Sequence, residues 1–133
     1  MELSDGQKRV IEHYEKGENV FITGAGGSGK TELIRYIYRN SRKRVQVCAL
    51  TGCAAILLNC KGTTIHSWSG LGTNIDGSIE NIANKCLKKV INKRKWIKTD
   101  VLIVDEVSML SKKLFEILNL IGKLARKNVK PFG

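Results

Sequence analysis

A glycine-rich segment has the residue types and spacing of a phosphate-binding loop, the Walker A motif. Residues 24–31 read Gly-Ala-Gly-Gly-Ser-Gly-Lys-Thr and fit the pattern G-x-x-x-x-G-K-[ST]. Glycines are needed because side chains would keep the backbone N–H groups away from phosphate oxygens. We expect Lys30 to reach the β- and γ-phosphates and Thr31 to ligate Mg²⁺. The sequence therefore predicts that ATP and Mg²⁺ are bound by Gly24, Ala25, Gly26, Gly27, Ser28, Gly29, Lys30 and Thr31.

The same glycines also allow a dinucleotide-binding interpretation. Gly24, Gly26 and Gly29 have the spacing G-x-G-x-x-G, which requires an acidic residue about 20 positions later to hold a ribose. There is no Asp or Glu between Glu32 and Asp76, and this alternative leaves the Lys-Thr pair unexplained. A glycine-rich loop without function is the remaining alternative. The triphosphate-binding interpretation accounts for more of the residues.

An acidic pair follows an apolar run in the second half of the chain. Residues 101–106 read Val-Leu-Ile-Val-Asp-Glu, which is typical of a buried strand that ends in a Walker B pair. We expect Asp105 to hold Mg²⁺, directly or through water, and Glu106 to position and polarise the attacking water. Acids that follow a strand often only cap a turn. Together with the glycine-rich loop, however, they indicate hydrolysis of the nucleotide, with Lys30, Asp105 and Glu106 as the catalytic residues.

Alternating strand and helix patterns predict how these residues are positioned. We expect helices over 4–16, 29–40, 53–60, 78–95 and 111–127, strands over 19–23, 45–50 and 101–104, and mostly loop over 62–78. Ser4 and Gln7 form a capping-box pattern, and Ser111 is placed to cap the last helix. Apolar periodicity and residue type predict a set of inward-facing residues, namely Leu33, Ile34, Ile37, Val90, Ile91, Trp96, Ile117, Ile121 and Leu124. Strands that alternate with helices predict an α/β fold, a mostly parallel sheet with helices on both faces.

The composition limits the class of protein. The 133 residues suit one domain, and 23 Lys and Arg against 12 Asp and Glu give a net charge of +11, which favours a polyanionic partner such as nucleic acid. No apolar run approaches the ~18 residues that span a membrane, and no signal-peptide pattern follows Met1. We expect a soluble, intracellular protein with reduced cysteines, without assigning a compartment.

Five segments, read together, resemble one helicase family. They are residues 3–7 (LSDGQ), 24–31, 50–55 (LTGCAA), 62–67 (GTTIHS) and 104–110 (VDEVSML). Their order is similar to that of the Pif-type (petite integration frequency) DNA helicases, in the 5′-to-3′ branch of helicase superfamily one. The similarity covers residues 3–133 and implies the N-terminal portion of a RecA-like, P-loop NTPase domain. Its Q-motif helix would be 4–16, its P-loop 24–31 and its Asp-Glu strand 101–106.

The resemblance implies roles for further residues. Gln7 would contact adenine, and its alternative role is the capping box. Thr51, Gly52 and Cys53 would contact the backbone of single-stranded DNA, and a second DNA-contacting segment would contain His66, Ser67 and Trp68. A structural role is the alternative for His66, and partial burial is the alternative for Trp68.

The resemblance also implies a larger motor. In that family the chain continues with a strand that lies between the P-loop strand and the Asp-Glu strand, and then with a second RecA-like domain that supplies arginines to the ATP site. We therefore expect an incomplete sheet here and a monomeric ATP-dependent helicase in the complete protein, acting on single strands and duplex junctions. The fragment alone should be poorly active. A non-catalytic nucleic-acid-binding remnant and another P-loop ATPase are the alternatives.

Overall fold

The computed structural model describes residues 3–23, 29–72 and 75–133. The chain divides into two compact units, residues 1–41 and residues 42–133, and each is described by itself. None of the described helices is long and apolar enough to cross a membrane. The predicted phosphate contacts at Gly24, Ala25, Gly26, Gly27 and Ser28 lie outside the described residues.

The first unit contains helices α1 (Asp5–Glu15) and α2 (Lys30–Asn40). The predicted capping box is confirmed, because the Ser4 hydroxyl accepts from the Gln7 backbone N–H while the Gln7 side chain accepts from the Ser4 N–H. In α2 the predicted apolar side chains are buried, namely Leu33, Ile34 and Ile37. A local cap therefore fixes the start of α1, and apolar periodicity accounts for the buried face of α2.

The second unit alternates strands and helices. In chain order it contains β1 (Val45–Ala49), α3 (Gly52–Leu58), β2 (Thr63–Thr64), α4 (Ile65–Ser69), α5 (Ile79–Leu87), α6 (Val90–Lys98), β3 (Val101–Val104), a 3-10 turn (Val107–Met109) and α7 (Lys112–Arg126). The described strands form one sheet in the order β2-β1-β3, and both pairings are parallel. The predicted parallel α/β architecture is confirmed.

Helix α7 supplies much of the core of this unit. The Ser111 hydroxyl accepts from the Leu114 N–H at 3.1 Å, so the predicted cap is confirmed. Ile117 and Ile121 are fully buried, as the periodicity predicted. Leu124, predicted to face inward, is 41% exposed, because the buried stripe continues four residues after Ile121 at Ala125.

Three predicted elements differ from the structure. The expected loop over 62–78 contains β2 and α4, which begins where the Thr64 hydroxyl accepts from the Ser67 N–H. The single helix expected over 78–95 is divided into α5 and α6, so that Val90 and Ile91 are exposed and Trp96 is buried.

The third difference concerns residues 19–23, which form no strand, and Phe21 is 73% exposed. A strand exists only where a neighbour accepts its backbone hydrogen bonds. Among the described residues the ladders join only β2, β1 and β3, so this apolar run has no such partner.

Candidate nucleotide and DNA site

Helix α2 begins without a side-chain cap. Its N-cap is Gly29, in the left-handed region at φ 87°, and no side chain of the described residues caps the first turn. Five other helices have a Ser or Thr hydroxyl at this position, in Ser4, Thr51, Thr64, Ser78 and Ser111. Uncapped N–H groups and the positive end of the helix dipole form an anion site. Lys30 and Thr31 lie in that first turn.

Gln7 connects α1 to this helix start. Its Nε2 donates to the Gly29 carbonyl at 3.0 Å, while its Oε1 accepts from the Ser4 N–H at 2.9 Å. The capping box therefore orients the carboxamide toward the residue that begins α2. Both contacts lie within the first unit, and adenine contact by Gln7 stays a prediction.

The acidic pair lies at the end of β3. The Asp105 N–H donates to the Cys48 carbonyl at 2.8 Å, which fixes Asp105 one residue beyond the last paired position of β3. Glu106 is exposed and has left-handed backbone angles, φ 59° and ψ 39°. This conformation costs a residue with a Cβ roughly 1–2 kcal/mol and is often found at functional sites.

The acid pair provides oxygen donors that suit a hard cation. Among the described residues, no Lys, Arg or His makes an ion pair with Asp105 or Glu106. Carboxylates and the Thr31 hydroxyl are the donor types that Mg²⁺ prefers, so the residues fit that ion. That Asp105 faces a nucleotide held at Lys30 remains a prediction, because the two residues belong to different units.

The residues predicted to contact DNA follow two neighbouring strands. Thr51 comes after β1 and caps α3, its hydroxyl accepting from the Ala54 N–H at 3.2 Å. Gly52 and Cys53, in the first turn of α3, are exposed. Ligands of open parallel sheets bind outside the carboxyl ends of the strands. Because β1 and β3 are parallel and Cys48 pairs with Val104, the carboxyl end of β1 lies beside the acid pair that follows β3.

The second predicted DNA segment is α4, which follows β2. Ser67 is exposed and His66 is half-buried. Trp68 is only 6% exposed, and its ring packs against Trp96 at a centroid distance of 4.7 Å. A base stacks only on an open ring face. The structure therefore places Trp68 in the core, in agreement with the packing alternative, and Trp96 in the core as predicted.

A buried polar cluster that the sequence did not reveal holds α4 in place. The Ser69 carbonyl accepts from Trp96 Nε1 at 3.2 Å and from Cys86 Sγ at 3.1 Å. Asn92 Nδ2 donates to the Cys86 carbonyl at 3.0 Å. The only sequence signal was Asn92, a polar residue at a position of α6 that is buried.

A charged pair lies at the opposite end of the sheet, where β1 and β3 begin. Asp100 precedes β3 and accepts from the backbone N–H of Arg44 at 2.9 Å and from its Nε at 3.2 Å. These bonds lower the pKa of Asp100 to about 2 and raise the pKa of Arg44. Both side chains are exposed, so the pair serves to align the starts of β1 and β3 and adds little stability.

Sequence relatives share nearly the whole chain. The ATP-dependent DNA helicase PIF1 of Emericella nidulans is 38% identical over 135 residues, which cover 96% of this chain and 18% of that protein. The ATP-dependent DNA helicase Pif1 of Psychrobacter sp. is 43% identical over 130 residues, covering 96% of this chain and 19% of that protein. The chain thus spans about a fifth of the length of these relatives.

Solved structures of helicases have a similar fold. The crystal structure of Pif1 helicase from Candida albicans matches with a TM-score of 0.87 and 38% identity, over 99% of this chain and 30% of that one. Bacteroides sp Pif1 in complex with ADP-AlF4 matches with a TM-score of 0.81 and 30% identity, and Bacteroides Pif1 bound to ssDNA with 0.79 and 27%. Each of these two matches covers 100% of this chain and 30% of the solved one.

The parallel sheet, its flanking helices and these structural matches define a RecA-like P-loop α/β fold. A family model described as PIF1-like helicase matches residues 2–133. The chain therefore belongs to the PIF1-like helicase family.

Proposed function

We propose that this chain forms the ATP-binding portion of a DNA helicase motor that couples hydrolysis of Mg-ATP to 5′-to-3′ movement along single-stranded DNA. The observation that carries the proposal is the uncapped start of α2 at Gly29-Lys30-Thr31, in a chain whose relatives are ATP-dependent DNA helicases. The structure of a relative in complex with ADP-AlF4 supports nucleotide binding as a property of the motor.

Each proposed residue has a definite task. The Lys30 ammonium holds the β- and γ-phosphates, and the first-turn N–H groups of α2 bind phosphate oxygens. The Thr31 hydroxyl and the Asp105 carboxylate would be ligands of Mg²⁺, and the ion would supply positive charge that offsets the charge of the phosphates. The Glu106 carboxylate accepts a proton from the attacking water, and its position beyond β3 exposes it for that task.

The DNA strand is proposed to cross the edge formed by the carboxyl ends of β1 and β2. Thr51, Gly52 and Cys53 follow β1, and His66 and Ser67 follow β2; we exclude Trp68 because it is buried. The solved relative bound to ssDNA, and another described at forked dsDNA, support single strands and junctions as partners. Contacts to phosphates would make binding salt-dependent and largely independent of sequence.

In the complete protein, a second RecA-like domain is proposed to close on the first when ATP is bound and to open after hydrolysis. Arginines from that domain would stabilise the transition state, an effect worth about 10³–10⁵ in rate in related phosphoryl transfer. Such a motor would serve genome maintenance, in replication, repair, recombination or at telomeres.

Two substitutions test the proposal in the complete protein. Lys30→Ala should abolish Mg-ATP binding in calorimetry, because it removes the cation that faces the phosphates. Glu106→Gln should keep ATP binding but stop DNA-stimulated hydrolysis, since an amide does not accept the proton. Lys112→Ala, which removes an exposed cation elsewhere, should change neither measurement. Tight ATP binding by Lys30→Ala would exclude the proposed phosphate site, and unchanged hydrolysis by Glu106→Gln would remove Glu106 as the base.

A further inference from the structure

The net charge of the chain is concentrated in two segments. Residues 81–99 and 117–133 contain eleven of the 23 Lys and Arg residues and no Asp or Glu. The remaining 12 Lys and Arg equal the 12 Asp and Glu in number. These two segments therefore account for the entire net charge of +11.

The fold brings the two segments together. Arg126 in α7 donates through Nη1 to the carbonyls of Trp96, Ile97 and Thr99 at 3.2, 2.9 and 2.9 Å, which ties the end of α7 to the end of α6. Lys93 and Lys127 line one shallow depression of about 400 Å³ between these helices. We call this surface, represented by Lys93, Lys98, Lys127 and Lys130, the α6–α7 basic surface.

Within the described part of the chain, Arg126 lies near enough to Asp100 to help lower its pKa, but the lysines of the two segments have no acidic partner in an ion pair. None of the ion pairs found there includes a Lys or Arg of the two segments. Helix stabilisation explains only those in last turns, where cations are favourable. It does not explain Lys89, which is the N-cap of α6, the end where a cation is unfavourable, nor Lys130, which lies beyond the C-cap of α7. Unpaired like charges repel one another, so an external polyanion is the natural counterpart.

The surface lies away from the proposed motor site. Arg126 contacts the carbonyl of Thr99, which precedes β3, whereas Thr51 and Asp105 follow strand ends. In a parallel sheet the starts and the ends of the strands lie at opposite edges. The α6–α7 basic surface therefore extends to the edge opposite the proposed DNA path.

We propose that the α6–α7 basic surface is a second nucleic-acid-binding site that takes the phosphate backbone of a duplex. Sites that bind single strands tightly usually add aromatic side chains on which bases stack. The aromatic residues of the two segments are packed instead, Trp96 against Trp68 and Phe132 against Phe115. A duplex carries one charge per ~1.7 Å and needs only a field of cations. The proposal goes beyond the motor, which requires no contact at this edge.

The test compares two double variants of the complete protein that remove the same charge. Lys93→Gln/Lys127→Gln neutralises the basic surface, and Lys112→Gln/Lys113→Gln neutralises the start of α7. Arg126 is left unchanged because it holds the helices together. Binding of a labelled 20-base-pair blunt duplex and of a 20-nucleotide oligo-dT is measured by fluorescence anisotropy from low to moderate salt. ATP hydrolysis at saturating oligo-dT is measured in parallel.

The basic-surface variant should bind the duplex more weakly, with a slope of log K against log salt that is smaller by about 0.9 per lost phosphate contact, or about 1.8 for two. At 0.1 M salt this corresponds to roughly eightfold per contact. Its oligo-dT affinity and its DNA-stimulated hydrolysis should equal those of the control variant. Because hydrolysis is read separately, failure of this proposal is distinguishable from failure of the motor proposal.

Three results would overturn the proposal. An equal loss of duplex binding in both variants would show a general charge effect. An equal loss of duplex and oligo-dT binding in the basic-surface variant would show one continuous DNA path. Unchanged duplex binding, together with lost binding to phosphatidylserine vesicles, would assign the surface to anionic lipid.

Discussion

Replacing Gln7 by alanine separates adenine recognition from helix capping. The carboxamide already makes two bonds, from Ser4 N–H to Oε1 at 2.9 Å and from Nε2 to the Gly29 carbonyl at 3.0 Å. An amide oxygen accepts twice and an amide nitrogen donates twice, so one site on each atom stays available. That remaining pair matches the N6 donor and N7 acceptor of adenine, whereas guanine presents two acceptors. Capping and adenine contact are thus compatible in one residue.

The magnitude follows from the bonds at stake. Two neutral hydrogen bonds to adenine contribute about 0.5–1.5 kcal/mol each, or about 1–3 kcal/mol together. Gln7→Ala should therefore lower the ratio of the GTP and ATP dissociation constants by about 5- to 150-fold. The variant also loses its half of the capping box and the Gly29 contact, which costs stability but does not discriminate between the bases.

Isothermal titration calorimetry of the complete protein with Mg-ATP and Mg-GTP measures this ratio. Ser4→Ala is the matched control, because it removes the hydroxyl that accepts from the Gln7 N–H at 3.2 Å and leaves the carboxamide in place. It should destabilise the protein by about 1 kcal/mol and keep the base preference. A preference for ATP that survives in Gln7→Ala would refute adenine recognition by Gln7 and leave only capping.

Other residues give further tests. Gly70→Ala should destabilise the protein by about 2–4 kcal/mol in urea unfolding, because φ is +88° and an added Cβ would lie 2.3 Å from the Asn92 side chain. Gly72→Ala is the control: its φ is +65°, an added Cβ would have no atom within 4 Å, and the substitution should cost only about 1–2 kcal/mol. The lowered pKa of Asp100 means that its ion pair stabilises the fold above about pH 4 and that this contribution is lost as the pH falls toward 2. Because both side chains are exposed, Asp100→Asn should weaken the acid sensitivity of urea unfolding only slightly, and a large loss of stability at neutral pH would contradict a surface pair. Of the four thiols only Cys53 is exposed, so native protein should react rapidly with one equivalent of a thiol reagent per chain, and more than one would contradict the burial of the others.

Elements with local determinants were predictable from the sequence. Helix starts at Ser4 and Ser111 follow from a hydroxyl that accepts an N–H three residues later, an interaction contained within one turn. The parallel sheet follows from alternating apolar runs. Glycine spacing and the Asp-Glu pair identify candidate site residues for the same reason, since they lie in short, contiguous motifs.

Elements that depend on distant partners were not predictable. Apolar periodicity continues from α5 through Val90 and Ile91, so it predicted one helix. The structure instead ends α5 near Lys88, where the Asn92 side chain donates to the Cys86 carbonyl, and turns Trp96 toward Ser69. That polar cluster determines which apolar residues are buried. Its members come from separate segments of the chain, so no local pattern reveals it.

The same distinction applies to charge. In the sequence, the lysines of 85–98 are compatible with phosphate contacts or with a solvated helix face, and nothing connects them with the lysines after residue 122. The packing of α7 against α6, including the bonds of Arg126 to the end of α6, joins two acid-free segments into one surface. A net charge of +11 predicts a polyanionic partner but not its position, because position depends on contacts between residues about 30 apart in the chain. The fold therefore places the proposed duplex site at the end of the sheet where β3 begins. The matched pair of lysine variants tests whether duplex binding depends on the charges at that end.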